Sequence, residues 1–289
     1  MSDRRVGRIA DAAVAGQNEP LAQLFHAEGA PAPRVVWKPA PEDLGHPVLT
    51  AFFERCQDLP ATAGGVAWDD LRLENFDDLS QWIMVLRCDP RLQTFRYIQY
   101  GASLAEHLGD DMTGQTTGAF GGHIGVFFSG IYEAARRRRQ WLFTEHQPPR
   151  RIFVKSWKRL IVPLMEAGDA TGFVVANVAE NELRAGLEVL SDPVVVLRED
   201  RTLCYVNSAA RKHLGVPAMG YMGRSLPEVA GFEIETQETA SDLIVHKQVV
   251  SQTVPGDRGN DVVVAISGAI VRDLPYYVLQ FRVPPPETA

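Results

Sequence analysis

One pattern in these 289 residues limits the fold more than any other: the same order of strand and helix signals runs along the chain twice. In the first copy a run of strand formers at 82–87 (WIMVLR) meets the turn signal Asp89-Pro90 and then a second run at 95–100 (FRYIQY), which reads as a β-hairpin. Helical spacing follows at Leu104, His107 and Leu108, then Gly-rich turns in DDMTGQTTGAFGG. A longer helix is expected over 124–139, where Val126, Phe127, Ile131 and Ala134/Ala135 recur with the period of an α-helix. Its last turn holds Arg136, Arg137, Arg138 and Arg139, cations suited to the negative end of a helix dipole. Strand candidates at 141–145, 153–165 and 171–178 close the copy, with Gly168-Asp169 as a turn. Short connections make their pairing antiparallel, and the helices in between must pack over one face of the sheet.

The second copy has strands at 194–198 and 202–207 around the turn Glu199-Asp200, a helix at 209–214, Gly-rich turns at 219–223 and a helical region near 236–246. Strands at 248–254, 262–272 and 276–282 complete it, with GDRGN (256–260) and Arg272-Asp273 as turns. Between the copies, AENELRAGLEVLS (179–191) places Leu183, Leu187 and Leu190 on one narrow apolar stripe of a polar helix. Such a stripe either packs on its own domain or meets another chain. Before the first copy, Ile9, Ala13, Leu21, Leu24 and Phe25 have helical spacing that Pro31, Pro33, Pro39 and Pro41 interrupt. PVLTAFFERCQ (47–57) then sets Val48, Phe52, Phe53 and Cys56 on one face of a short docked helix. The expected segmentation is an N-terminal extension with helical segments (1–60), a first domain (61–181), a linker helix (182–192), a second domain (193–284) and a tail (285–289).

Length agrees with two domains, since each commonly takes about 100–150 residues. Hydrophobic residues at 45% and charged residues at 22% describe a chain that folds. Lys plus Arg number 29 against 36 Asp plus Glu, and the net charge of -7 argues against a general affinity for nucleic acid or anionic membrane. No apolar run approaches the ~20 residues of a membrane span, and MSDRRVGRIADAAVAG lacks the apolar stretch of a secretion signal, so a cytoplasmic location is expected. Cys56, Cys88 and Cys204 have no CxxC spacing and read as reduced core residues.

The run PVVVLREDRTLCYVNSAARKHLGVPAMGYMGRSLPEV (193–229) resembles a PAS domain, with the acidic turn at Asp200, the strand-ending Asn207, the helix entry at Ala209/Ala210 and the later Gly223 in that family's order. The first copy resembles a divergent PAS family found in alphaproteobacteria, through FRYIQYGASLAEHLGDDMTGQTTG (95–118) and RLIVPLMEAGDATGFVVANV (159–178). The resemblance implies an α+β fold of two PAS-like domains, each a five-stranded antiparallel sheet with helices covering one face, joined by a linker helix. It also implies a small cavity between sheet and helices, with Phe127, Ile131, Trp157 and Asn207 as candidate lining. A ligand there biases packing that a flanking helix can transmit, and the Leu183/Leu187/Leu190 stripe is the candidate transmitter and homodimer interface.

His123, just before the long helix, stands where some PAS domains place an axial haem ligand, with His107 as a second candidate. An ordinary turn or core histidine is the simpler account of both. Flavin photochemistry needs a cysteine in a motif resembling GxNCRFLQ, which is missing, and Cys204 falls too early in its domain. Arg136–139 with Arg150, Arg151, Lys155, Lys158 and Arg159, interleaved with Trp141, Phe153 and Trp157, form a candidate basic patch for nucleic acid or a nucleotide. A solvated helix end beside a charged strand face explains the same residues. Phosphate-loop, HExxH, nucleophile-elbow and kinase signatures are missing from the sequence, the glycines at 114–125 read as turns, and Asp69-Asp70 and Asp110-Asp111 read as caps rather than metal ligands. The expectation is a non-enzymatic bacterial sensor or adaptor that binds a small ligand, a signalling partner or both, as a homodimer. The alternatives are a ligand-gated transcription regulator or nucleotide-binding protein using the basic patch, or the sensory part of a longer kinase or cyclase.

Overall fold

The computed structural model describes residues 4–60, 62, 64–92, 94–149, 152–255 and 261–282. The chain divides into two compact units, residues 1–149 with 154–180 and residues 150–153 with 181–289. The turn expected at 256–260, the tail at 285–289, and Arg150 and Arg151 lie outside the described residues.

The first unit begins with helices α1 (Arg4–Ala15) and α2 (Glu19–His26), strand β1 (Arg34–Trp37), helices α3 (Pro41–Leu44) and α4 (Pro47–Asp58), and the short strand β2 (Val66–Ala67). Two 3-10 segments lead to the hairpin β3 (Ile83–Asp89) and β4 (Thr94–Tyr100), followed by α5 (Ala102–Leu108), α6 (Gly122–Arg138), β5 (Leu142–His146), β6 (Ser156–Glu166) and β7 (Asp169–Glu180). The sheet runs β1-β5-β6-β7-β3-β4, with β2 pairing β6 in parallel. β6 and β7 are buried at nearly every position instead of at alternate ones. Strands of that kind need cover on both faces.

One cover is α4 with the 3-10 segment Leu73–Trp82: Leu49, Phe52, Phe53, Phe76 and Leu79 close over Val85, Phe143, Leu160, Val162, Leu164, Val174 and Val178. The other is α6 with α5, and α1 lies against α6. Two expectations are thereby corrected. The first sheet has seven strands where five were expected, and its helices cover both faces where one was expected. The edge strand β1 and helix α4 come from the segment read as an N-terminal extension, while β2 and the 3-10 segment Leu73–Trp82 come from the start of the first domain. The prolines at 31, 33, 39 and 41 were read as interruptions, yet they bracket four residues that pair antiparallel with β5 as an edge strand, the place in a sheet where proline is tolerated.

The second unit holds α7 (Glu182–Glu188), β8 (Val194–Arg198), β9 (Leu203–Val206), α8 (Ser208–Leu214), α9 (Leu226–Ala230), α10 (Ala240–Val245), β10 (Val250–Pro255), β11 (Asp261–Val271) and β12 (Leu274–Arg282). Its five antiparallel strands run β10-β11-β12-β8-β9. Counted from β3 in the first unit and from β8 in the second, these strands and β5-β6-β7-β3-β4 of the first sheet follow one path: third, fourth, fifth, first, second. In β10 and β11, by contrast with β6 and β7, burial largely alternates. Ala210, Leu226 and Leu243 from the helices pack on Val195, Leu197, Val264, Ile266, Leu279 and Phe281.

The approach of α1 to α6 depends on Gly130. A Cβ built there would lie 2.6 Å from Ile9 Cγ2 and 2.8 Å from Ile9 Cβ, whereas Gly7 on α1 has open space. Gly130→Ala is expected to lower unfolding free energy by about 1–2 kcal/mol in urea titrations, because overpacking outweighs the better helix propensity of alanine. Gly7→Ala is expected to leave it unchanged or raise it.

Candidate functional site

Register builds an unusual row on the α6 side of the first sheet. Thr144 pairs with Arg159 across β5 and β6, and Arg159 pairs with Asn177 across β6 and β7, so the three share a face. Two residues along, His146 pairs with Trp157 on that same face. Tyr97 and Tyr100 come from β4, their rings 5.4 Å apart, and Phe120 lies edge-on to Tyr97. α6 supplies Phe127, Phe128 and Tyr132. His146 lies 5.4 Å from Phe127 and 5.2 Å from Phe128, and Arg159 Cζ sits 4.0 Å from the Phe128 ring centroid.

These polar side chains are among the most buried groups of the chain: Tyr97, Tyr132 and Thr144 at 0% exposure, Asn177 at 2%, Arg159 and His146 at 3%. Six of their polar atoms close no hydrogen bond of good geometry among the described residues: Tyr97 OH, Tyr132 OH, Thr144 Oγ1, His146 Nδ1, Arg159 Nε and Asn177 Oδ1. A buried polar atom left without a partner costs about 1–3 kcal/mol, so a whole row of them is a feature that fold stability alone does not select. Nearby Thr117 shows the usual outcome, with its hydroxyl bridging Thr94 Oγ1 at 3.1 Å and Ser129 Oγ at 2.8 Å.

Charge in the row is one-sided. Among the described residues no carboxylate lies within 4.0 Å of the Arg159 guanidinium, a group that stays charged in proteins. Burial pushes the Tyr97, Tyr100 and Tyr132 phenols up, with Arg159 pulling the other way. Tyr97 and Tyr132 are near enough to influence each other's ionisation without closing a hydrogen bond of good geometry. Burial first, then the charges of Arg159 and His123, hold His146 well below the usual histidine range. The row thus carries neutral phenols, a neutral imidazole and one cation.

The pocket residues expected from sequence fall in different places. Phe127, Ile131 and Trp157 are buried in the first unit, and Phe127 and Trp157 border the polar row. Asn207 belongs to the second unit and has nothing left for a ligand. Its Oδ1 accepts from Val194 N and Ala210 N at 2.9 and 2.8 Å, and its Nδ2 donates to Leu187 O and Asp192 O, which makes it the cap of α8 and a tie to two loops. Of the two histidines, His107 has Nδ1 bonded to Ser103 O at 2.7 Å and Trp157 edge-on to its ring, while Phe25 lies edge-on to His123 at 5.1 Å. Cavities of about 370 and 390 Å³ are lined by other residues, around Trp141 with Arg139 and around Cys88 with Glu133. The Cys204 thiol is buried, donates to Val196 O and is pushed up to about 12 by burial, far from the reactive range.

Four cations of the basic patch, Arg136, Arg137, Arg139 and Lys158, meet carboxylates. Arg136 and Arg137 grip Glu133, Arg137 also reaches Asp11 at 2.7 Å, Arg139 meets Asp169 at 2.9 Å, and Lys158 meets Glu180 at 3.1 Å. Arg138 stacks on Trp37, 4.3 Å from the ring centroid. Arg159 points to the opposite side of β6 from Lys158. The leucine stripe is also divided: Leu187 packs on Phe153, Val194 and Tyr205 of its own unit, while Leu183 and Leu190 are exposed together with Val189, and α7 ends at Glu188.

The PAS fold family matches residues 181–252, so the second unit holds a PAS domain, a signal-sensing module. Comparison with curated proteins gives no match. Among solved structures, the PAS domain of nitrogen regulation protein NR(II) from Vibrio parahaemolyticus is 16% identical, with 35% of this chain and 97% of that one covered at a TM-score of 0.30. The PAS domain of an HTR-like protein from Haloarcula marismortui is 20% identical over 35% of this chain and 92% of that one, TM-score 0.25. The E. coli DhaR(N)-DhaL complex is 15% identical over 82% of this chain and 100% of that one, TM-score 0.27. At these TM-scores the three are loose likenesses. No helix among the described residues is long and apolar enough to cross a membrane, and none of their His, Cys, Asp and Glu side chains form a group that could hold a metal ion.

His146 also sets a pH dependence. Its folded value lies below its unfolded value near 6.5, so under acid the unfolded chain takes up a proton that the folded chain refuses. Its contribution to stability is complete above pH ~6.5 and is lost as pH falls below it, at up to about 1.4 kcal/mol per pH unit. Urea unfolding between pH 7.5 and 5.5 is expected to show this loss, and His146→Phe is expected to flatten the slope.

Proposed function

We propose that this chain is a non-enzymatic cytoplasmic sensor or adaptor of bacterial signal transduction, built from two PAS-like domains, in which the first unit receives a small ligand and the second carries the signal to a partner. The observation that carries the reading is the polar row on the α6 side of the first sheet, six buried atoms equipped to bond that close no hydrogen bond of good geometry among the described residues. Supporting it are the strand path common to both sheets and the PAS domain at residues 181–252.

A ligand in the row would touch β4, β5, β6, β7 and α6 together, so occupancy would alter the packing of sheet and helix at once. Leu183, Val189 and Leu190, exposed at and just after α7, are assigned to contact with a second copy of the chain. The nucleic-acid reading loses its ground, since the cations of the proposed patch are already paired with carboxylates or stacked on an aromatic ring.

Native mass spectrometry of the purified full-length protein tests ligand and assembly together. The expected result is a dimer carrying a non-covalent small-molecule adduct, either as purified or after incubation with a bacterial metabolite extract. Bare monomer in both samples would contradict the proposal.

A further inference from the structure

Resting on the sensor reading above, we infer that the buried row of the first unit is a receptor for a small monocarboxylate, and that Arg159 is the residue that binds the carboxylate. Nothing else in the row is charged, and the chain supplies Arg159 with no carboxylate of its own among the described residues. Asp111 is the acid that bears on Tyr100, but it is exposed and its Oδ1 is already occupied by Thr113 N and Oγ1. A guanidinium is a planar fork, matched by a planar anion with two oxygens side by side.

The count of charges fixes the ligand's charge. One cation beside a neutral imidazole and neutral phenols is balanced by a single negative charge, and a dianion would bring an unpaired charge into a buried site. The other orphaned atoms describe the rest of the molecule. The Tyr97, Tyr132 and Thr144 hydroxyls can donate to carboxylate oxygens, while Asn177 Oδ1 only accepts. A hydroxyl next to the carboxylate therefore satisfies the row better than a plain fatty acid does. Phe120, Phe127 and Phe128, packed on one another at 5.0 and 5.8 Å, form an aromatic wall suited to a small aliphatic body.

Matched probes on the full-length protein decide the matter, by thermal shift and isothermal titration: lactate against lactamide, propionate, and sodium nitrate as an inorganic planar monoanion. Lactate is expected to bind and raise the melting temperature, propionate to do so more weakly, and lactamide and nitrate to have little effect. Arg159→Gln is expected to weaken lactate by roughly 10- to 100-fold, the scale of lost charge-assisted hydrogen bonds, with Arg159→Lys in between. Tyr132→Phe, which removes one hydroxyl and keeps the ring, supplies a second readout if Arg159→Gln does not fold, and is expected to weaken lactate by up to ~10-fold.

Lactamide binding as well as lactate would overturn the carboxylate assignment and leave the sensor reading intact. Nitrate as the strongest binder would do the same in favour of an inorganic ion. A lactate response unchanged in both Arg159→Lys and Tyr132→Phe would place binding elsewhere. No response to any probe would also overturn the inference, and the adduct seen or not seen in native spectra would then judge the sensor reading separately.

Discussion

The β6–β7 hairpin imposes the constraint on which the first unit depends. Its two strands are buried on both faces along most of their length, so chain must be found to cover the sheet twice, and α4 with the 3-10 segment Leu73–Trp82 supplies the second cover. Near one end the same two strands switch from apolar to polar on the α6 side, where Arg159 and Asn177 follow the paired Ile161 and Val175. Burial that holds a sheet together elsewhere here holds a cation and five other polar groups out of water. That energetic cost makes sense where something other than the chain completes the bonds.

The second unit keeps the strand path and spends its polar groups differently. Asn207 is as buried as any residue in the row, yet each of its hydrogen-bonding groups is used to fasten α8 and the loops at Leu187 and Asp192. Glu188 likewise binds Arg211 at 3.1 Å and the Ser208 amide. Asn207 and Glu188 thus close their bonds within their own unit, unlike the six atoms of the row.

Much of this architecture was legible from the sequence, for a physical reason: hairpin turns such as Asp89-Pro90 and Gly168-Asp169 and the period of α6 are local signals, and the structure places strands and helix within a few residues of them. The seven-stranded sheet was not legible, because pairing of Arg34–Trp37 with β5 joins residues more than a hundred positions apart and leaves no periodic trace in a four-residue strand. The polar row was missed for another reason. Arg159 follows Lys158, and read as composition the two belong to one basic run, whereas strand alternation sends Lys158 to Glu180 and Arg159 to the opposite, buried face. The signal was present in SWKRLIV, where Trp157, Arg159 and Ile161 share a face with two apolar neighbours of one cation.

The central claim is that Arg159 is a buried charge with no counter-charge among the described residues, and its most direct test is the unfolding free energy of Arg159→Met in the absence of any added ligand. If the claim holds, an apolar side chain of similar length leaves stability unchanged or raises it by about 1–4 kcal/mol, since a desolvated cation is removed without orphaning an anion. A fall of about 3–5 kcal/mol, the size expected when one member of a buried ion pair is lost, would contradict it.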